Sequence, residues 1–152
     1  MSTAHHIAIS FAPTAAADVD ELVAIRIAAM RASLERVGRF DPLRARQRFQ
    51  SGFSPTDTRF ILHEGQRVGF VVLKHQDEHL LLDHLYLTPA HQGKGIGSAV
   101  LVCVFSEADA AGLPLRVGAL KQSEANRFYQ RHGFEQVAEE EWDIYYLRAP
   151  KK

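Results

Sequence analysis

The stretch LYLTPAHQGKGIGSAVL, residues 85–101, constrains the fold more than any other part of the chain. A strand-like run stops at Pro89, and a turn carrying Gly93, Gly95 and Gly97 delivers the backbone directly into a helical pattern. Such a turn binds anions. Glycine lets the backbone approach a diphosphate closely, and the free N–H groups of the first helical turn point at the ligand along with the positive end of the helix dipole. A phosphate loop of the G-x-x-x-x-G-K-[ST] type is excluded, because Lys94 follows Gly93 and is itself followed by Gly95. A dinucleotide turn of the G-x-G-x-x-G type is excluded as well, because Val100 stands where Gly95 and Gly97 require a third glycine.

The rest of the pattern places this turn in a mixed α/β sheet. Ile7, Ile9 and Phe11 alternate toward Pro13, which reads as a first strand. Asp18 is expected to cap a helix with apolar positions at Leu22, Ile25, Ala29 and Met30, ended by Gly38, and Asp41-Pro42 opens a second helix over about 43–49. Strands are expected over 58–63, 68–74 and 80–88, separated by Glu64-Gly65 and by the bend at Gln76-Asp77-Glu78. Residues 96–111 read as a helix with Leu101, Val104, Phe105 and Ala108 on one side, ended by Gly112 and Pro114. A strand over 115–120, a helix capped by Ser123 and ended at Gly133, and a strand pair over 134–140 and 142–148 complete the chain. The order is β-α-α-β-β-β-α-β-α-β-β, strands interleaved with helices that pack on the faces of one sheet.

At 152 residues the chain is expected to form one domain, 1–152, able to bury roughly 70% of its unfolded surface. Cys103 is the single cysteine, so neither a disulfide scaffold nor a cysteine-based zinc site is possible. His5, His6, His63, His75, His79, His91 and His132 show no ligand spacing, and no metal is expected. The longest apolar runs, such as 96–105, fall short of the ~20 residues that span a bilayer, and MSTAHHIAIS lacks a signal-peptide core, so a cytoplasmic location is expected. Lysine plus arginine equals aspartate plus glutamate at 18 each, which gives the whole chain no bias toward nucleic acid or an anionic membrane.

Gln92, Gly95 and Gly97 spell Q-x-x-G-x-G. Together with the strand ending Leu85-Tyr86-Leu87-Thr88-Pro89 and the later Asn126-Arg127-Phe128-Tyr129 followed by Gly133-Phe134, the chain resembles the GNAT superfamily of acyl-CoA-dependent N-acetyltransferases over nearly its whole length. The resemblance implies the GNAT fold and acetyl-CoA as cosubstrate. It implies that Gln92, Gly93, Lys94, Gly95, Ile96, Gly97 and Ser98 hold the pyrophosphate, and that the backbone of Leu85, Tyr86 and Leu87 pairs with the pantetheine arm like an added strand. A tight strand-to-helix connection without ligand is the competing reading of the glycines.

Acyl transfer to an amine sets two proton problems. An ammonium with pKa ~10.4 must be deprotonated at pH 7, a gap of roughly 4.6 kcal/mol that a base helps to close. A thiolate with pKa near ~8.5 must leave, and a phenol can protonate it. The resemblance assigns that acid to Tyr129, with Asn126 one helical turn back placed to bond the cofactor amide or a water. Read without the motif, Tyr129 is more commonly an amphipathic core tyrosine with its hydroxyl at the edge. For the base, the resemblance points to the strand before the turn. Asp83, flanked by leucines, is expected to be partly desolvated, and His84 competes with an unperturbed pKa near ~6.5. Strand alternation puts the two on opposite faces unless a bulge intervenes, and the family strand commonly carries one. Backbone N–H groups at Leu85 or Leu87 are candidates to polarise the thioester carbonyl. Cys103, inside the apolar helix, is expected to pack, which disfavours an acyl-cysteine route.

The acceptor stays open. Arginines at 26, 31, 36, 39, 44, 46 and 48 face only Glu35 and Asp41 in that region, and in the family the first two helices border the acceptor cleft, so an anionic acceptor is one reading. A solvated helix face is the other. Glu135, Glu139, Glu140, Glu141 and Asp143 instead favour a cationic amine. The acceptor is a small-molecule or peptide amine on either reading. A non-catalytic acyl-CoA-binding module and an enzyme using another acyl-CoA are the alternatives. Trp142, Ile144 and Tyr146 alternating on one closing-strand face make a homodimer possible.

Overall fold

The computed structural model describes residues 7–36, 38 and 41–151, apart from the side chains of 32–34 and 36. Seven strands form one sheet in the order β1-β2-β3-β4-β5-β7-β6. They are β1 (Ser10–Pro13), β2 (Thr58–His63), β3 (Gln66–His75), β4 (Leu80–Leu87), β5 (Leu115–Leu120), β6 (Glu135–Glu139) and β7 (Asp143–Arg148). Every neighbouring pair is antiparallel except β4 and β5. Four helices, α1 (Val19–Arg36), α2 (Pro42–Gly52), α3 (Ile96–Ala111) and α4 (Ala125–Arg131), complete the expected element order of a mixed α/β fold.

Alternation along the central strands makes two apolar layers. Phe60 and Phe70 pack with Leu22, Val23, Ile25 and Phe49 of α1 and α2. Their chain neighbours Ile61 and Val71 pack instead with Ile96, Val100, Leu101 and Val104 of α3 and with Tyr129 of α4. The β2–β3 hairpin turns at Glu64 and Gly65, both left-handed at φ 54° and 78°, the geometry whose twist suits a two-residue connection.

Several local expectations are corrected. The first strand is Ser10–Pro13, so Pro13 lies within it. This is tolerated because β1 is an edge strand, paired only with β2. Asp18 is not the residue at the cap position: its carboxylate reaches back to accept from the Ala15 N–H at 2.8 Å. Asp41 does cap α2, accepting from the Arg44 N–H at 3.1 Å. Ser123 donates to the Leu120 carbonyl at 2.7 Å instead of capping α4. Cys103 is half-buried. Of the three residues expected to share a closing-strand face, Tyr146 is buried and Ile144 packs against the α3-side core, whereas Trp142 is exposed. Among the described residues no helix is long and apolar enough to cross a membrane.

Candidate active site

The site begins with an extra residue in β4. Val72 pairs with His84 and Leu73 with Leu82, so Asp83 has no partner on β3 and forms a β-bulge. The bulge shifts the side-chain parity of the strand. Leu80 and Leu82, and beyond the bulge Leu85 and Leu87, all face α3, while His84 and Tyr86 face α1 and α2. Asp83 joins them: its Oδ2 lies 3.3 Å from Lys74 Nζ and 3.7 Å from His84 Nε2. Contrary to expectation, the Asp83 carboxylate is not sequestered by its leucines but exposed at the cleft beside a lysine.

Desolvation falls on the histidine instead. Its ring lies among Phe49, Phe70 and Tyr86, with centroids 5.6, 6.3 and 5.4 Å away, and its Nδ1 is 3.3 Å from Tyr86 Oη. Burial lowers its pKa to about 4, against the pull of Asp83 and with the help of the Arg26 and Lys74 charges. His84 is therefore a neutral imidazole at neutral pH. Burial raises the Tyr86 phenol, with Arg26 opposing.

Parallel pairing of β4 with β5 runs from Leu80↔Leu115 to Leu82↔Val117 and stops, whereas β5 stays paired with β7 as far as Leu120. Past the bulge the two strands diverge. A cleft of about 970 Å³ opens there, lined by Asp83, His84 and Tyr86 from β4, Gly118 and Leu120 from β5, and Phe49 from α2. Residues 85–87 bond to β3 on one side, which leaves their other backbone edge turned toward the gap.

At the end of β4 the chain makes one 3₁₀ turn, Pro89–His91, before the glycine turn. Gly93 and Gly95 are left-handed at φ 72° and 87°. Gly95 occupies the N-cap of α3, and no side chain caps the helix, so its leading N–H groups have no side-chain acceptor. Lys94 is exposed on this turn and Ile96 is buried beneath it. Gly97 has a packing role, because a Cβ there would stand 3.1 Å from Phe128 Cζ on α4. Gln92 donates its amide to the Leu87 carbonyl at 2.9 Å and so fastens the turn to the strand end. Ser98 Oγ is 2.9 Å from His132 Nε2, and His132 Nδ1 is 2.8 Å from the Phe128 carbonyl. Since a carbonyl only accepts, Nδ1 donates to Phe128, and Nε2 and the Ser98 hydroxyl complete the link between α4 and α3. No sequence pattern pointed to His132, which sits 34 residues from its partner.

Tyr129 is buried in the α3-side core, 5% exposed and edge-on to Phe134 at 5.3 Å, and is not among the residues lining the cleft. Burial holds its phenol well above the ordinary value, with the nearby Tyr86 adding to the shift. Asn126 is occupied by the protein: its amide donates to the Leu120 and Ser123 carbonyls, both at 2.9 Å, and its oxygen accepts from Tyr146 Oη at 2.8 Å. It ties the end of β5 to α4 and β7.

The arginine run divides. Arg26, Arg44 and Arg48 line the cleft, joined by Arg116 from β5. Arg31 pairs with Glu35 and Arg46 with Asp20. Arg39 and the side chain of Arg36 lie outside the described residues, as do His5 and His6. From the acidic stretch only Asp143 reaches the cleft. Glu139 pairs with Lys121 at 3.0 Å, Glu140 accepts from Tyr145 Oη at 2.9 Å, and Glu135 and Glu141 are exposed. Among the described residues no histidine, cysteine or carboxylate group clusters to hold a metal.

Residues 56–136, more than half of the chain, match the family model described as an acetyltransferase (GNAT) domain. No curated protein sequence matches the chain. Among solved structures it is similar to the PaiA N-acetyltransferase of Thermoplasma acidophilum in complex with coenzyme A, at 16% identity, 93% of this chain, 99% of that chain and a TM-score of 0.75. It is similar to PH1933 of Pyrococcus horikoshii OT3 at 16% identity, 95% and 100% coverage and a TM-score of 0.75. It is also similar to apo YjaB of Escherichia coli at 22% identity, 95% and 99% coverage and a TM-score of 0.74. At these identities the likeness is one of fold.

Proposed function

We propose, from the premise that the chain belongs to the GNAT acetyltransferase family, that it transfers the acetyl group of acetyl-CoA to a primary amine of a small molecule or peptide within a ternary complex. One observation carries the proposal. The divergence of β4 from β5 runs from the uncapped head of α3 to the Asp83–His84 pair and opens there on the acceptor cleft. A donor with an anionic end and an extended arm fits that path: the amides of residues 96–98 and the left-handed turn at Gly93 and Gly95 suit a diphosphate. The outward edge of residues 85–87 suits an arm that pairs like a strand. Acetyl-CoA supplies an activated acyl group and a thiolate leaving group.

The chain's own residues supply the proton traffic. Asp83 stands at the cleft mouth as acceptor for the ammonium proton, directly or through water, with neutral His84 beside it as relay. The Tyr129 phenol keeps its proton at working pH and is the candidate donor to the departing sulfur. Backbone N–H groups at Leu85 or Leu87 are the candidate oxyanion donors. Gln92 and Asn126 shape this path through their backbone bonds.

Calorimetry with coenzyme A, followed by thiol release from acetyl-CoA over a panel of amines, tests the reading. Binding with turnover is expected. Tight binding with no thiol released by any amine would mark a non-catalytic acyl-CoA module, release only from longer acyl-CoAs would change the donor, and no binding would end the proposal.

A further inference from the structure

We infer that the acceptor amine bears a second, anionic group, a carboxylate or a phosphate, and that Arg26 is the residue that selects it. The inference rests on the acyltransferase reading and deepens it. Arg26 points from α1 into the cleft, where its Nη1 donates to the Ala45 carbonyl of α2 at 3.3 Å. That bond anchors the guanidinium. Its Nε is buried with no hydrogen-bond partner, while the guanidinium also lies against the Tyr86 phenol, whose ionised form its charge and hydrogen bond favour. A buried donor left unmet is costly, and a bidentate oxyanion is the ligand whose geometry meets a guanidinium fork.

The surroundings sharpen the choice. Arg44 and Arg48, four residues apart and hence on one face of α2, line the same cleft, as does Arg116 on β5. None of Arg26, Arg44, Arg48 and Arg116 is ion-paired among the described residues, although arginines of the same helices with a carboxylate in reach use it, Arg31 with Glu35 and Arg46 with Asp20. The aspartates of the cleft are placed differently. Asp41 is engaged at the α2 cap, Asp83 sits at the bulge beside Lys74 and His84, and Asp143 enters from β7, where its charge acts on the Tyr86 phenol against that of Arg26. The cleft is thus polarised, with a carboxylate where an amine must lose its proton and an anchored guanidinium toward α1. Arg26 is close enough to the centre for its charge to act on both His84 and Tyr86, so one small molecule can present its amine to Asp83 and its oxyanion to Arg26. A polyamine would meet four arginines and is disfavoured.

The test is calorimetry on the full chain saturated with coenzyme A, which removes anion binding at the donor site from the reading. The probes are matched pairs, methionine against methioninamide and phosphoethanolamine against ethanolamine, with spermidine as the cationic control. At least one anionic member is expected to bind tenfold or more tightly than its neutral partner. Arg26→Gln should bring that ratio near one, and Arg26→Lys, which keeps charge without the fork, should retain part of it. If Arg26→Gln is misfolded by circular dichroism, Arg48→Gln replaces it and must lower the ratio at least threefold. Neutral partners or spermidine binding as tightly as every anionic probe would overturn the inference, as would an unchanged ratio in the folded variant. Failure of the wild type to bind coenzyme A in the first titration would instead overturn the acyltransferase reading, and this inference with it.

Discussion

Asp83 and His84 are chain neighbours whose side chains reach the same cleft, with Asp83 Oδ2 3.7 Å from His84 Nε2. A regular strand would send them to opposite faces, and the bulge between Leu82 and His84 is what unites them. If Asp83 takes the ammonium proton, Asp83→Asn keeps the size of the side chain and removes its basicity. Steady-state kinetics are expected to show kcat reduced by about 10²-fold or more, the usual range for a lost general base, with coenzyme A affinity unchanged. Full activity in Asp83→Asn with a comparable loss in His84→Gln would transfer the role to the imidazole.

His84 makes stability depend on pH in a defined window. Its folded pKa, about 4, lies below the 6.5 of an unfolded histidine, so between these values the unfolded chain binds a proton that the folded chain refuses. The stability present above pH 6.5 is lost as pH falls toward 4, by on the order of 2–3 kcal/mol. Thermal melts across this window should fall more steeply for the wild type than for His84→Gln. Parallel curves would show that burial does not depress this group.

Tyr129 is protonated throughout the working range, because burial holds its phenol high. Two consequences follow for Tyr129→Phe. Turnover should fall by roughly 10²-fold while coenzyme A binding holds. Any alkaline limb in the wild-type pH profile below pH 9 should survive the substitution, since it cannot come from this phenol. Disappearance of that limb, or unchanged turnover, would remove Tyr129 from the chemistry.

The fold was legible where backbone chemistry punctuates the chain. Strands at 58–63 and 115–120 and the helix at 96–111 match to the residue, because Gly65, Pro89, Gly112 and Gly133 mark their surroundings in ways that few tertiary contacts override. The bulge was not readable from the residues. Leucines stand at 80, 81, 82, 85 and 87, at both odd and even positions, so the residues show no alternation that an extra residue would visibly break. Which arginines enter the cleft was equally hidden, since it depends on how α1 and α2 pack across β4 and not on helical spacing within either. Gln92, Ser98 and Asn126 were placed at the site by motif alone. Their side-chain partners, Leu87, His132 and Leu120, emerge only when the elements meet.

The turn at Gly95 separates charge from shape. Its left-handed φ of 87° is accessible to asparagine and aspartate at modest strain, and a Cβ there would meet only the movable end of Ile7, at 2.7 Å from Cδ1. Gly95→Asn and Gly95→Asp therefore impose similar backbone costs, but only the aspartate repels a diphosphate. Calorimetry should show coenzyme A weakened at least tenfold more by aspartate than by asparagine. Equal losses would contradict an anion site at the head of α3.

Gly69 is the glycine on which the geometry of β4 most depends. A Cβ at this position would stand 2.1 Å from the Tyr86 carbonyl oxygen and 3.0 Å from Leu87 Cα, backbone atoms that no rotamer change can move aside. Gly69→Ala must push β3 and β4 apart at the point where the outward edge of residues 85–87 faces the gap. Urea unfolding is expected to show a loss of about 3 kcal/mol or more, at the upper end of overpacking costs. Coenzyme A affinity should fall with it. Gly52, with open space around it at the end of α2, supplies the contrast: Gly52→Ala should be neutral or stabilising by up to about 1 kcal/mol. Equal stability in the two variants would mean that β3 and β4 do not approach this closely, and the path proposed for the pantetheine arm would lose its wall.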